Sequence, residues 1–217
     1  MYKYILFDLD GTLTDPKEGI TKCVQYALEH FGIHQPDNDK LTCFIGPPLH
    51  QSFELFYGFD SQKAMLAVEK YRERYKTIGV FENQLIEGID NMLMKLKNEG
   101  KILAVASSKP YVFVEQILTH FNIRQYFDVV AGSNLDGSRT DKAEVIQCAL
   151  AQLKINKADY NQTIMIGDRK HDVEGAKKCG LDCIGVKFGF AEPNELETAG
   201  AIMNAETAEQ LTQMLLK

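Results

Sequence analysis

Asp8 and Asp10 stand one residue apart at the end of an apolar run, Tyr4-Ile5-Leu6-Phe7. A run of this length predicts a buried strand. Side chains two apart on a strand leave by the same side. The two carboxylates therefore emerge together, and Gly11 allows a tight turn directly after them. Like charges this close raise each other's pKa unless a cation lies beside them. Asp, Gly and Thr also make ordinary turns, so the meaning of the pair depends on what else gathers at the same rim.

Two more strand ends carry polar residues. Ile102-Leu103-Ala104-Val105-Ala106 runs into Ser107, and Thr163-Ile164-Met165-Ile166 runs into Gly167-Asp168, with Asp172 four residues later. At a helix start that spacing puts Asp168 and Asp172 on roughly one face. Alone, Asp168 would be a helix cap and Ser107 a cap or turn residue. Together, Asp8, Asp10, Asp168 and Asp172 make an oxygen-rich set that suits Mg²⁺. Such a set supports phosphoryl chemistry. A metal-bound carboxylate can attack phosphorus to give an aspartyl-phosphate, and its neighbour can protonate the leaving oxygen and then deprotonate water. Ser107 and the N–H groups of the Asp8–Gly11 turn can donate to the outer phosphoryl oxygens, with a lysine supplying charge. Lys142, beside Asp141 at a predicted helix start, is the first candidate; Lys109 is the second.

The elements that must hold these residues alternate between strand and helix. Helices are expected at Ile89–Asn98, Tyr111–His120, Asp141–Leu153, Lys170–Cys179, Pro193–Ala199 and Thr207–Leu216. Further strands are expected at Val129-Val130, Cys183–Val186 and Ala201-Ile202-Met203. This is the pattern of an α/β, doubly wound parallel sheet, in which working residues lie beyond the carboxyl ends of the strands. Residues 16–85 differ. They predict helices at Pro16–Phe31, Leu49–Tyr57 and Ser61–Ile78, and no strand from Lys17 to Gln84. The expectation is a discontinuous core, 1–15 and 86–217, with a small all-helical domain inserted at 16–85. Thr14-Asp15-Pro16 and Asn83–Glu87 would be its two hinges.

The chain has 217 residues, 45% hydrophobic and 25% charged, with a net charge of −6. The composition is that of a soluble globular protein, and the acidic balance argues against a nucleic-acid polymer as partner. The five cysteines are widely spaced without a C-x-x-C, as expected of free thiols in a reducing cytoplasm. Met1-Tyr2-Lys3 enters the first strand without an apolar leader, and no run approaches the length of a membrane span. The expected localisation is cytoplasmic, without membrane partners, and the expected state a monomer, with a weak dimer as the alternative.

The D-x-D-G-T stretch, the strand ending in Ser107, the lysine opening a helix and G-D-x-x-x-D together resemble the four motifs of the haloacid dehalogenase-like phosphohydrolases. The resemblance covers the whole chain and implies their Rossmann-like core with a helical cap. It implies Asp8 as nucleophile, Asp10 as general acid/base and Thr12 as an aid to Asp10. Ser107 and Lys142 would bind the phosphoryl group. Mg²⁺ would be held by Asp8, the Asp10 backbone carbonyl and Asp168, with Asp172 supporting the ligand shell. The segment Thr140-Asp141-Lys142-Ala143-Glu144 departs from the K-P-x-P pattern of the phosphoglycolate phosphatase branch. Other segments, among them Ile45-Gly46-Pro47-Pro48-Leu49 and Ile166-Gly167-Asp168-Arg169, are similar to a 5′-nucleotidase-like branch.

The implied activity is Mg²⁺-dependent hydrolysis of a small phosphorylated metabolite. The loop Ile45–His50 lacks Arg and Lys, which favours a nucleoside 5′-monophosphate over 2-phosphoglycolate. Gly46, Pro47 and His50 are its candidate specificity residues, and Phe44, Phe53 or Tyr57 could stack a base. A phosphomutase on the same scaffold is the alternative. Asp10 argues against a dehalogenase, which lacks a second aspartate there.

Overall fold

The computed structural model describes residues 2–217. In chain order, β1 (Tyr4–Phe7) and β2 (Thr14–Asp15) lead into α1 (Lys17–His30), α2 (Leu49–Tyr57) and α3 (Ser61–Arg74). The chain returns through β3 (Gln84–Leu85) to α4 (Ile89–Asn98), β4 (Ile102–Pro110), α5 (Tyr111–His120), β5 (Val129–Ser133) and α6 (Lys142–Gln152). It ends with β6 (Thr163–Gly167), α7 (Lys170–Lys178), β7 (Asp182–Val186), α8 (Glu195–Ala199), β8 (Met203–Ala205) and α9 (Ala208–Leu216).

Two compact units result: Met1–Thr14 with Leu85–Lys217, and Asp15–Gln84. The larger is built on a six-stranded sheet in the order β5-β4-β1-β6-β7-β8, with every pairing parallel. Strands covered on both faces read as unbroken apolar runs, and Ile5, Leu6, Phe7, Ile164, Met165 and Ile166 are all fully buried. The strand order reverses between β1 and β6, the place where such sheets open a crevice for ligands. Asp8 and Asp168 directly follow those two strands.

The smaller unit contains no strand between residues 16 and 83. Its core is Val24, Ala27 and Leu28 of α1, Leu41, Phe44 and Ile45 of the following segment, Phe53 of α2, and Ala64, Ala67 and Tyr71 of α3. The expected helix Ser61–Ile78 is α3 followed by a wider π-turn at Tyr75–Gly79. That turn brings Gly79 against Gly19 and the thiol of Cys23, where a side chain would not fit. The last strand is also displaced, from 201–203 to Met203–Ala205. Ile202 and Met203 look like core residues in sequence, but they lie exposed at the sheet edge. None of the five cysteines forms a disulfide.

Candidate active site

The first turn aligns the aspartates. Asp8 N–H donates to Ile166 O (2.9 Å), which ties the end of β1 to β6. The chain then folds back on Leu9, whose carbonyl accepts from the N–H groups of Leu13 (2.8 Å) and Thr14 (3.0 Å). Gly11 takes φ +80°, a conformation that side chains resist. It also lies against the Asp168 carboxylate, leaving no room for a Cβ.

Asp8, Asp168 and Asp172 each bring a carboxylate oxygen within 4.8 Å of the other two, and all three are buried. Asp10 is buried beside them. Two buried lysines enter the cluster and divide the work. Lys142 Nζ lies 2.8 Å from Asp8 Oδ1 and 2.7 Å from Asp172 Oδ1, and donates to Ala106 O at 3.2 Å. Lys109 Nζ lies 2.6 Å from Asp10 Oδ2. Lys142 is the first residue of α6, and Asp141 caps that helix by accepting from Ala143 N–H (2.8 Å). The lysine stem rests on Gly175 of α7, where an added Cβ would sit only 2.7 Å from Lys142 Cγ.

The electrostatics ask for a cation. With every group ionised, four carboxylates face two ammonium groups and two negative charges stay uncompensated. Asp10 Oδ1 is buried without a hydrogen bond, and the buried Asp8 Oδ1 and Asp172 Oδ1 share the single Lys142 ammonium. Burial, then the charges of Asp172 and Asp8, holds the Asp168 carboxyl well above the usual range. Burial pushes Asp172 up to about 6, against the pull of Lys142 and with Asp8 adding to the rise. Burial also raises Asp10, more than the adjacent Lys109 lowers it. Lys142 is held above its ordinary value: burial is the largest influence and acts downward, but Asp172 and Asp8 outweigh it. A divalent ion among these oxygens would neutralise the cluster. All-oxygen donors suit Mg²⁺, so Asp8, Asp168 and Asp172 fit a magnesium site.

The structure brings Asp8, Asp10, Lys142, Asp168 and Asp172 together. It places Ser107 buried within β4, which runs on to Pro110 rather than ending before the serine, at the last regular pair before the register shifts; Ser107 Oγ accepts from Lys109 N–H (3.3 Å). The Thr12 hydroxyl turns to Asp168 Oδ1 (3.4 Å) rather than to Asp10. Gly46, Pro47 and His50 belong to the smaller unit and are half-buried. His50 Nε2 is within hydrogen-bond distance of Ser61 Oγ (3.1 Å). Phe44 and Phe53 are 1% and 0% exposed and pack edge to face in that unit's core. Buried in this way, neither ring has a free face for a base.

Sequence reading missed three supports. Phe190 N–H donates to Asp168 Oδ2 (2.8 Å), and Gly189 before it leaves the Asp168 side chain its space. Glu195 accepts from Arg169 Nε (2.9 Å) and from the N–H groups of Lys170 (2.8 Å) and Glu192 (3.0 Å), fastening the loop after β6 to α8. The third is the Lys109–Asp10 pair. Its only sequence signal was a lysine two residues after Ser107.

A family model described as "Haloacid dehalogenase-like hydrolase" matches residues 5–186. A 5′-nucleotidase of Pseudomonas aeruginosa is 49% identical over 195 residues, covering 90% of this chain and 87% of the relative. The tyrosine-protein kinase PtkA of Mycobacterium tuberculosis is 37% identical over 214 residues, covering 97% of this chain and 72% of the relative. A crystal structure of a predicted phosphatase from Clostridium acetobutylicum superposes with a TM-score of 0.95 at 46% identity, covering 100% of this chain and 99% of the other.

Proposed function

The chain belongs to the haloacid dehalogenase-like hydrolases and is a phosphatase of that family; from that premise we propose that it hydrolyses nucleoside 5′-monophosphates with Mg²⁺, through an aspartyl-phosphate on Asp8. The observation that carries the mechanism is Asp8 itself: buried, ion-paired to Lys142 and grouped with Asp168 and Asp172. A carboxylate held this way is aimed, as a nucleophile toward phosphorus must be. Lys142 offsets the charge that builds on the attacking and transferred groups. Asp10 protonates the leaving oxygen as the ester bond breaks, then takes a proton from the water that cleaves the Asp8–phosphorus bond. Ser107 and the turn N–H groups hold the outer phosphoryl oxygens. Magnesium, when bound by Asp8, Asp168, Asp172 and the Asp10 carbonyl, would supply further positive charge to the phosphoryl oxygens.

Two observations support the nucleotide. The relative named 5′-nucleotidase is 49% identical to this chain. The loop 45–50, which we assign to the leaving-group pocket with Gly46, Pro47 and His50, carries no cation to meet the carboxylate of 2-phosphoglycolate. The unit Asp15–Gln84 would then act as a cap, moving on β2 and β3 to admit substrate and shut out water. The test is a panel of nucleoside 5′-monophosphates, 2-phosphoglycolate and p-nitrophenyl phosphate, with Mg²⁺ or chelator and with Asp8→Asn as control. Nucleotides should lead the panel, and chelation or Asp8→Asn should abolish turnover. A preference for phosphoglycolate would overturn the substrate. Transfer of the phosphoryl group to a protein acceptor instead of water, the activity in the kinase relative's name, would overturn the hydrolase.

A further inference from the structure

Each aspartate of the first turn has its own lysine, and the two lysines come from different elements. Lys142 serves Asp8. Lys109 serves Asp10 through one oxygen only: Nζ to Oδ2 at 2.6 Å, with both side chains almost wholly buried. The other oxygen, Oδ1, is buried and has no hydrogen-bond partner. The position of Lys109 follows from a break in β4. Its pairing with β5 is regular to Ser107 and resumes at Pro110 with a shifted register. Within that break the Lys109 N–H is tied to Ser107 Oγ. One irregularity therefore sets both the serine and the lysine, and Pro110 hands the chain on to α5.

Resting on the reading of Asp10 as the proton carrier, we infer that Lys109 is a positioning residue: by holding Oδ2 it presents Oδ1 as the oxygen that gives the proton to the leaving group and takes one from water. In the first step the proton passes from Oδ1 to the leaving oxygen as the ester bond breaks and the Asp8–phosphorus bond forms. Asp10 becomes a carboxylate, whose charge the Lys109 ammonium balances. In the second step Oδ1 takes a proton from water as the water oxygen bonds to phosphorus and the Asp8–phosphorus bond breaks. Lys109 stays protonated throughout. The competing role is direct binding of the phosphoryl group.

Leaving-group dependence separates the two roles, because an alkyl oxygen needs a proton to depart and a p-nitrophenolate does not. kcat/KM reports the steps up to loss of the leaving group. With the full chain and Mg²⁺, Lys109→Met should lower kcat/KM about 10²-fold on a nucleoside 5′-monophosphate and far less on p-nitrophenyl phosphate. Its affinity for inorganic phosphate, read by calorimetry, should match the wild type. Lys109→Arg, which keeps the charge, should recover part of the loss and decides the question if the methionine variant does not fold. An equal fall on both esters, with or without weaker phosphate binding, overturns the inference. The phosphatase reading fails separately, if wild-type turnover of either ester does not exceed that of Asp8→Asn.

Discussion

Gly167→Ala introduces one methyl group, with no charge and no contact with substrate, yet it should cripple the enzyme. Gly167 ends β6 and is buried. Its φ lies outside the left-handed region, so alanine brings no backbone strain there. The new Cβ would overlap Asp172 Cγ, Cβ and Oδ2, an ångström or more inside the ordinary contact distance of 3.4 Å. Asp172 has little freedom to yield. Its Oδ2 accepts from Arg169 N–H (3.0 Å) and its Oδ1 pairs with Lys142 (2.7 Å). A shift of about 1 Å breaks one of these and draws Lys142 away from Asp8. Misplacement of that size costs about 10²-fold in rate, and overpacking costs about 1–3 kcal/mol of stability. The assay is steady-state hydrolysis of a nucleoside 5′-monophosphate at saturating Mg²⁺, with Mg²⁺ affinity from calorimetry. We expect kcat/KM to fall by about that factor and Mg²⁺ to bind more weakly. Wild-type kcat/KM together with wild-type Mg²⁺ affinity would refute the reasoning that Asp172 works by its position.

Lys142→Met leaves Asp8 and Asp172 buried without their common cation. Breaking a buried pair from one side costs about 3–5 kcal/mol, and kcat should fall about 10²–10³-fold; a variant that melts and turns over like the wild type would remove Lys142 from the account. Metal binding should depend on pH through Asp172. Its carboxyl in the metal-free fold is pushed up to about 6, above its value of about 4 in an unfolded chain. The folded state therefore holds this proton more tightly. That contribution to stability is present below about pH 4 and is lost as pH rises through 6. Mg²⁺ needs the ionised carboxylate, so the gap in melting temperature between Mg²⁺ and chelator should widen as pH rises through 6. A gap that does not change with pH across that window would count against Asp172 in the metal site.

Much of the site was legible because strand ends have a signature. Asp8, Ser107 and Asp168 each follow an apolar run, and parallel sheets place such residues on one rim. Asp172 followed from helical spacing. The sequence ranks Lys142 ahead of Lys109 for the phosphoryl group but does not say which aspartate each lysine meets; the break in β4 that turns Lys109 to Asp10 has no local sequence pattern. Glu195 and Phe190 were hidden for a related reason, because the residues they hold at the site, Arg169, Lys170 and Asp168, lie more than twenty residues away in the chain. Phe44 and Phe53 show the reverse problem: an aromatic ring marks a core or a binding face equally well until burial is known. The misplaced strand at 201–203 arose because Ile202 and Met203 are apolar at an exposed edge.

The central claim is that Asp8 carries the phosphoryl group. Acid quench of the enzyme during turnover, followed by borohydride reduction and peptide mass spectrometry, would convert an aspartyl-phosphate into homoserine at the residue that bore it. The account predicts homoserine at position 8 in the wild type, more of it in Asp10→Asn fed p-nitrophenyl phosphate, whose leaving group needs no proton while water attack slows, and none in Asp8→Asn. Rapid substrate consumption without any reduced residue, or reduction at another aspartate, would contradict it.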